Sequence, residues 1–324
     1  MLQRKAVFIS IACIVLAALT FVTPVLGTSQ AFAQTKPLLK VRISKIPIAN
    51  YVPADVALSR GWFKEEGLDV NIEGIMTGTL AMGALVAGKL DIVYETFLVG
   101  LKARAQGFDV VIVSNCCNAG VKVPDSSAIL VRKDTGIKSL KDLEGKRVLV
   151  QTLQNINWAY AREAITRAGG DPGKVHFLEL PFPQMVDSLL GGQADAVYTV
   201  EPFTTIGIGT GKLSALSYPH VAVQPGLNIA GYLARGAWVK EHPEAAAAFR
   251  RAIQRAIDFL EQNPQEKTNA ILKFTSLKPD LLARITQDKW TTRVDPADLR
   301  KQLELYNRHG MIDKTFDVKA MIVP

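Results

Sequence analysis

Two carboxylates offer this sequence its best opportunity for chemistry. Glu95 stands in "DIVYET" and Glu201 in "DAVYTVE", so each follows a Val-Tyr strand pattern at a point where a helix begins. A helix dipole favours a carboxylate there by a few tenths to ~1 kcal/mol, which makes capping the plain reading. The functional reading is a hydrogen bond to a ligand's amine or hydroxyl. As an acid–base pair the two would have to meet across opposite halves of the chain. Other catalytic patterns are missing. His176, His220, His242 and His309 are scattered without a second ligand at metal spacing. There is no G-x-S-x-G elbow. "GIGTGK" (207–212) lacks the third glycine of a dinucleotide loop and the ends of a phosphate loop, so it reads as a turn after a helix. The adjacent Cys116 and Cys117 make a poor disulfide framework and read as small buried hydrophobes. No cofactor or metal is expected. The formal net charge of +8 is spread without a long basic run or basic–aromatic interleaving, which argues against nucleic acid.

Binding chemistry is better represented. In "VLVQTLQNINWA" (148–159) a short apolar strand runs into Gln151, Thr152, Gln154 and Asn155, and then into a helix whose first N–H groups have no intrahelical partners. Comparable loops are 45–51, "GIMTGT" (74–79) and 95–97 in the first half, and 181–184 and 199–203 in the second. Apart from Lys45 these segments carry no basic residue, whereas they hold Glu95 and Glu201 with Tyr51, Phe97, Trp158 and Phe203, and Tyr198 directly precedes the last of them. That composition argues against a bare dianion and suits a compact organic molecule, planar or nitrogen-bearing. Tyr94 and Tyr198 read as core.

The elements that must position these loops come as a repeat. "GKLDIVY" (88–94) and "GQADAVY" (192–198) match at an offset of 104, each glycine stopping a helix and each aspartate leading into a buried strand. Strand, loop, helix and strand precede both: "LLKVRIS" (38–44) and "LDVNIE" (68–73) in one half, "KRVLV" (146–150) and "VHFLEL" (175–180) in the other. Aligning Val41 with Val148 and Val70 with Phe177 gives an offset of 107 here. Strands alternating with helices imply parallel sheets, with ligand loops beyond the strands' carboxyl ends. "SAILVRK" (127–133) and "IAGYLARGAWV" (229–239) flank the second unit and are expected to cross between lobes as a hinge. "PEAAAAFRRAIQRAIDFLEQ" (243–262) puts Ala245, Ala248, Phe249, Ala252, Ile253, Ala256, Ile257 and Leu260 on one face of a surface helix. Two more helices are expected near Pro279–Asp288 and Pro296–Arg308. At the other end, Arg4 and Lys5, an apolar run to Leu26 and "AFA" before Gln34 read as a cleaved secretory signal peptide, residues 1–33. An uncleaved anchor is the competing reading.

Several segments together resemble one family: "ALSRGWFKEEGLDV" (57–70), "GTLAMGALVAGKLD" (78–91), "GIKSLKDLEGKRV" (136–148), the 192–195 turn and "EPF" (201–203). They are similar to the nitrate/sulfonate/taurine group of ABC-importer solute-binding proteins, which includes binders of thiamine-type pyrimidines. The resemblance implies an α/β, class II periplasmic-binding-protein-like fold: two lobes, 34–125 plus 228–324 and 126–227, joined by two crossing strands with a ligand cleft between them. It implies a monomeric periplasmic protein that captures a small organic solute by hinge closure. The partners would be an ABC permease and its ATPase at the inner membrane. The implied contacts are Asn50, Tyr51, Thr77, Gly78, Thr79, Glu95, Thr96, Gln151, Thr152, Gln154, Asn155 and Glu201, to which the loop aromatics add Trp158 and Phe203. Pyrimidine synthases share the fold, but "NCCNAG" (115–120) is at best a fragment of their cysteine-rich motif. An enzyme of this fold and a ligand-sensing domain are the alternatives.

Overall fold

The computed structural model describes residues 37–324 except Pro47, Met76, Thr77 and Ser276. The expected leader and its cleavage point lie outside the described residues. The strands in chain order are β1 (Leu39–Lys45), β2 (Leu68–Ile75), β3 (Ile92–Thr96), β4 (Val110–Asn118), β5 (Ser127–Arg132), β6 (Arg147–Val150), β7 (His176–Glu179), β8 (Ala196–Val200), β9 (Leu213–Ser217), β10 (Asn228–Arg235) and β11 (Lys289–Trp290). They form two mixed sheets with helices between the strands. One runs β2-β1-β3-β10-β4-β11 and the other β7-β6-β8-β5-β9.

Strand for strand, the two orders coincide. β1 pairs in parallel with β2 and β3, and β6 does so with β7 and β8, as the alternation of strands and helices requires. The fourth strand of each sheet departs from the all-parallel expectation: β10 runs antiparallel to β3 and β4, and β5 antiparallel to β8 and β9. These are the two segments expected to cross between lobes, and each lies inside a sheet instead. The crossings are the stretches 119–126 and 218–227, tied by Ala119 N–H to Leu227 O at 2.9 Å and Gly226 N–H to Gly120 O at 3.0 Å. A chain that leaves one sheet at the carboxyl end of its strands enters the other from the same end. It must therefore run against its new neighbours.

The repeat rests on a duplicated clamp. Arg42 N–H and Nε donate to Asp91 Oδ2, both at 2.9 Å, while Nη2 reaches Oδ1 at 2.7 Å and Gly88 O at 2.8 Å. Arg147 makes the same four bonds to Asp195 and Gly192, at 2.9, 3.1, 3.1 and 3.0 Å. Asp91 N–H and Asp195 N–H return bonds to the carbonyls of Arg42 and Arg147, both at 2.9 Å. Gly88 and Gly192 share φ of 72°, a left-handed helix stop that a side chain would strain. A second arginine ends each antiparallel strand: Arg235 Nη1 donates to Leu85 O and Arg132 Nη1 to Leu189 O.

The clamp also corrects the alignment of the first two strands. Ile43 pairs with Ile92 and Val148 with Ala196, so Ile43, not Val41, is the counterpart of Val148. The error is two residues, one full strand period, which leaves the inward-facing pattern unchanged.

Around the first sheet, helix Pro243–Gln262 buries the eight apolar positions expected of it, and Ala246 as well. In the tail, helix Pro296–Arg308 forms where expected, whereas the other stops at Leu282 and residues 283–288 continue without helix. Among the described residues no helix is long and apolar enough to cross a membrane.

The two copies of the clamp differ in burial, the aspartate side chains being 6% and 24% exposed. Asp91→Ala is expected to cost about 2–4 kcal/mol and Asp195→Ala about 1–2 kcal/mol, because each strands a guanidinium and a backbone donor, more deeply in the first case. Urea unfolding of both variants reads this. Equal, negligible losses would show that the clamp holds nothing.

Candidate functional site

A polar seam runs between the carboxyl-terminal strand ends of the two sheets, beside the crossings. Asp288, from the non-helical tail segment, accepts from Asn50 Nδ2 at 2.7 Å and from the Ser126 hydroxyl. Two residues earlier, Thr286 N–H donates to Glu201 Oε1 at 3.1 Å. Glu201 also accepts from Thr205 N–H at 3.1 Å and Thr205 Oγ1 at 2.8 Å, while its own N–H donates to Ser126 O at 2.8 Å. Glu201 thus caps the helix that follows it, and it is held from the tail segment as well.

On the other side, Glu95 accepts from Gly78 N–H at the start of helix Gly78–Val86. Burial pushes its pKa up to about 7, against the lowering effect of the Gly78 and Thr96 amides. Asp288 is raised to about 6, first by desolvation and then by the charges of Asp125 and Glu201, with the Ser126 and Asn50 bonds opposing. Desolvation likewise raises Glu201, and the Asp125 charge adds to it. Among the described residues no lysine or arginine pairs with Glu95, Glu201 or Asp288; the neighbouring Lys45 faces Asp55.

A buried trio joins the crossings behind this seam. Asp125 accepts from Gly120 N–H at 2.8 Å and from Ser127 Oγ at 3.2 Å, and Ser127 Oγ lies 3.0 Å from His220 Nδ1. Asp125 and His220 are 3.7 Å apart, one on each crossing. Burial lowers the His220 pKa to about 4 despite Asp125, so the imidazole is neutral near pH 7.

The residues singled out in the sequence divide accordingly. Asn50, Gly78, Glu95 and Glu201 enter these hydrogen-bonded groups. Tyr51 is wholly buried: its hydroxyl donates to Ser44 O at 2.9 Å and its ring stacks on Phe274. Thr77 lies outside the described residues. Thr79 is exposed, and Thr96 precedes helix Phe97–Ala105 without a side-chain capping bond. In the polar collar, Gln151, Thr152 and Gln154 are exposed, and Asn155 Oδ1 caps the next helix by accepting from Trp158 N–H at 2.8 Å. Gln154 adopts φ of 58°, and its carbonyl accepts from Lys102 Nζ at 3.0 Å. The collar therefore starts a helix and meets a side chain from beside the first sheet. Trp158 packs edge-on against Phe177 under the Arg162 guanidinium, and Phe203 stacks on Phe182. Both rings are occupied by packing.

Cys116 and Cys117 are buried and unbridged as expected. A register shift in β4 between the partners of Ala230 and Gly231 leaves Cys116 as an extra residue, so both cysteines reach the same core cluster. Cys116 is more than filler, since its Sγ donates to Asn50 O at 2.8 Å. Sequence reasoning missed Asp125, Ser126, His220, Thr286 and Asp288. Asp125 and Ser126 stood at the expected boundary between lobes and His220 was set aside as a scattered histidine; "TQDK" (286–289) looks like any solvated turn.

Comparison with known proteins agrees with this architecture. The aliphatic sulphonate binding protein SsuA of Escherichia coli superposes with a TM-score of 0.74 at 17% identity, covering 89% of this chain and 98% of SsuA. The nitrate-binding protein NrtA of Synechocystis PCC 6803 gives 0.69 at 16% identity, covering 87% and 84%. The fold is that of these periplasmic binding proteins. In sequence, YtlA of Bacillus subtilis is 23% identical over 90% of this chain and 88% of its own. The formylaminopyrimidine-binding protein of Halalkalibacterium halodurans is 24% identical over 72% and 69%. The 4-amino-5-hydroxymethyl-2-methylpyrimidine phosphate synthase THI11 of Saccharomyces cerevisiae is 22% identical over 72% and 69%. Residues 48–267 match the model of the family described as NMT1/THI5 like, and the chain belongs to that family.

Proposed function

We propose that this chain is the extracytoplasmic solute-binding component of an ABC importer. It would be exported with cleavage near Ala33/Gln34 and would deliver a small organic solute, as a monomer, to a membrane permease and its ATPase. The observation that carries the reading is the seam itself: strand-end groups of two sheets with one strand order meet beside two short crossings. In this reading lobes 34–125 plus 228–324 and 126–227 close over the solute by rotation about those crossings. Opening breaks few contacts at the mouth, notably Thr286 to Glu201 and Lys102 to Gln154 O. Helix Pro296–Arg308 supplies the pivot, because Gln224 of the second crossing donates to Asp298, while Arg308 and His309 meet Glu163. Micromolar affinity, about −8 kcal/mol, suffices for capture and release. The second reading, an enzyme acting on a pyrimidine-like molecule, draws on the synthase names of the yeast relatives.

Native mass spectrometry of freshly purified protein separates the two. One small molecule per chain, released unchanged on unfolding, is expected; its steady conversion to a product would establish the enzyme instead. Calorimetry with the released molecule should show Glu201→Ala binding at least tenfold more weakly, with the unliganded fold intact.

Glu95 tests which groups are ionised at the mouth. Its pKa is raised in the folded state, so the stability it contributes is complete below about pH 4.5 and is lost as pH climbs through about 7. Glu95→Gln keeps an acceptor for Gly78 N–H and removes the charge. The variant's stability advantage over the native chain should grow from near zero at pH 4.5 to about 1–3 kcal/mol at pH 8, read by thermal melts.

A further inference from the structure

We propose that in the exported chain Cys116 and Cys117 close into a disulfide between neighbouring residues, a covalent ring at the base of the first crossing. This rests on the export step of the reading above and on nothing about the solute.

The backbone makes the bond possible. Neighbouring residues of a regular strand point to opposite faces, which ordinarily keeps two consecutive thiols apart. β4 departs from that rule at this position. Asn115 pairs with Gly231 and Cys117 with Ala230, so Cys116 is the bulged residue and both side chains enter one core cluster. The bulge is fixed from across the ladder, because a side chain on Gly231 would collide with Ser114 O and the Phe97 ring. The two thiols meet there. A hydrogen bond with the Cys116 thiol, and then burial, push the Cys117 thiol up.

No other partner competes for these sulfurs. The sequence has three cysteines, and the third, Cys13, lies in the expected leader. Cys116 is 2% exposed and Cys117 is wholly buried, so no second chain reaches either one after folding. Burial also keeps the thiolate scarce, and the thiolate is the form that exchanges. Whichever state the pair holds on folding is therefore retained.

The oxidant is an external disulfide, the class of reagent that an oxidising extracytoplasmic space supplies. One cysteine thiolate attacks it, releasing a thiol and leaving a mixed disulfide; the other then displaces the second thiol and closes the Cys116–Cys117 bond. Two electrons and two protons leave with the external disulfide, which departs as two thiols. The exchange takes place before β10 and β11 pair with β4 and bury the sulfurs. Disulfides usually join Cα atoms about 4.4–6.8 Å apart, whereas neighbours stand about 3.8 Å apart, so this ring is strained and its protection from reductants is kinetic. It would replace the S–H that donates to Asn50 O at 2.8 Å and lies 3.6 Å from the Tyr94 hydroxyl.

The test counts thiols. Mature chain from the exported fraction is unfolded in guanidinium with iodoacetamide and weighed intact. The expected result is a monomer without label, lighter than the dithiol by the two thiol hydrogens, that takes two labels after reduction with a phosphine. Two labels without reduction overturn the inference while leaving export and solute binding intact. A third label, from a retained Cys13, overturns the cleavage reading and the inference with it. Refolding the reduced chain in glutathione buffer tests the geometry by itself, and a folded monomer containing the bond is expected. A cross-linked chain that does not regain the native melting transition, or a dimer joined through these sulfurs, overturns the proposal.

Discussion

Everything in this molecule depends on where the chain changes sheets. It does so at the carboxyl ends of parallel strands, the same edge on which the functional loops lie, so the first strand laid down after each crossing must be antiparallel. β4 hands over to β5 and β9 to β10, and each of these strands occupies an interior position of its new sheet. Neither half therefore completes its own hydrogen-bonded ladder. Each receives one interior strand from the continuation of the other half, and the two crossings are bonded to each other where they pass. The union that results is hard to take apart at the level of strands and easy to flex at the level of the connections, which are brief and mostly without regular structure.

The same arrangement explains the electrostatics of the mouth. Strand ends and helix starts converge there, so backbone donors are abundant and apolar cover is thin. Carboxylates answer some of those donors, Glu95 at one helix and Glu201 at another, while Asp288, from a tail segment that belongs to neither repeat, accepts from the Asn50 and Ser126 side chains. Each is desolvated by its neighbours, and each has a raised pKa. Hydrogen bonds offset part of the burial cost without supplying a counter-charge. The mouth is thus polar, with several backbone donors held by carboxylates that, among the described residues, form no ion pair with a lysine or arginine.

How much of this the sequence disclosed follows from the range of the interactions involved. The repeat was visible because its glycines and aspartates serve local geometry: a left-handed stop that disfavours side chains, and an aspartate whose Arg42 or Arg147 partner lies on the adjacent strand. The strand offset was misjudged by one period, since a two-residue slide keeps Val41 and Ile43 on the same face. Tyr51 and Trp158 look alike in the sequence as loop aromatics near polar residues, and only tertiary packing showed Tyr51 sealed beneath Phe274 and Trp158 against Phe177. Asp288 left no trace at all. Its partner Asn50 is 238 residues away, and no local pattern reports a bond of that span.

The late arrival of β10 has a consequence for biogenesis. The central region of the first sheet is contributed by Asn228–Arg235, so a growing chain that has produced β1 to β4 still lacks the strand that separates β3 from β4. Contacts of such long sequence separation form slowly. Until Asn228–Arg235 has been made, the first sheet cannot close between β3 and β4.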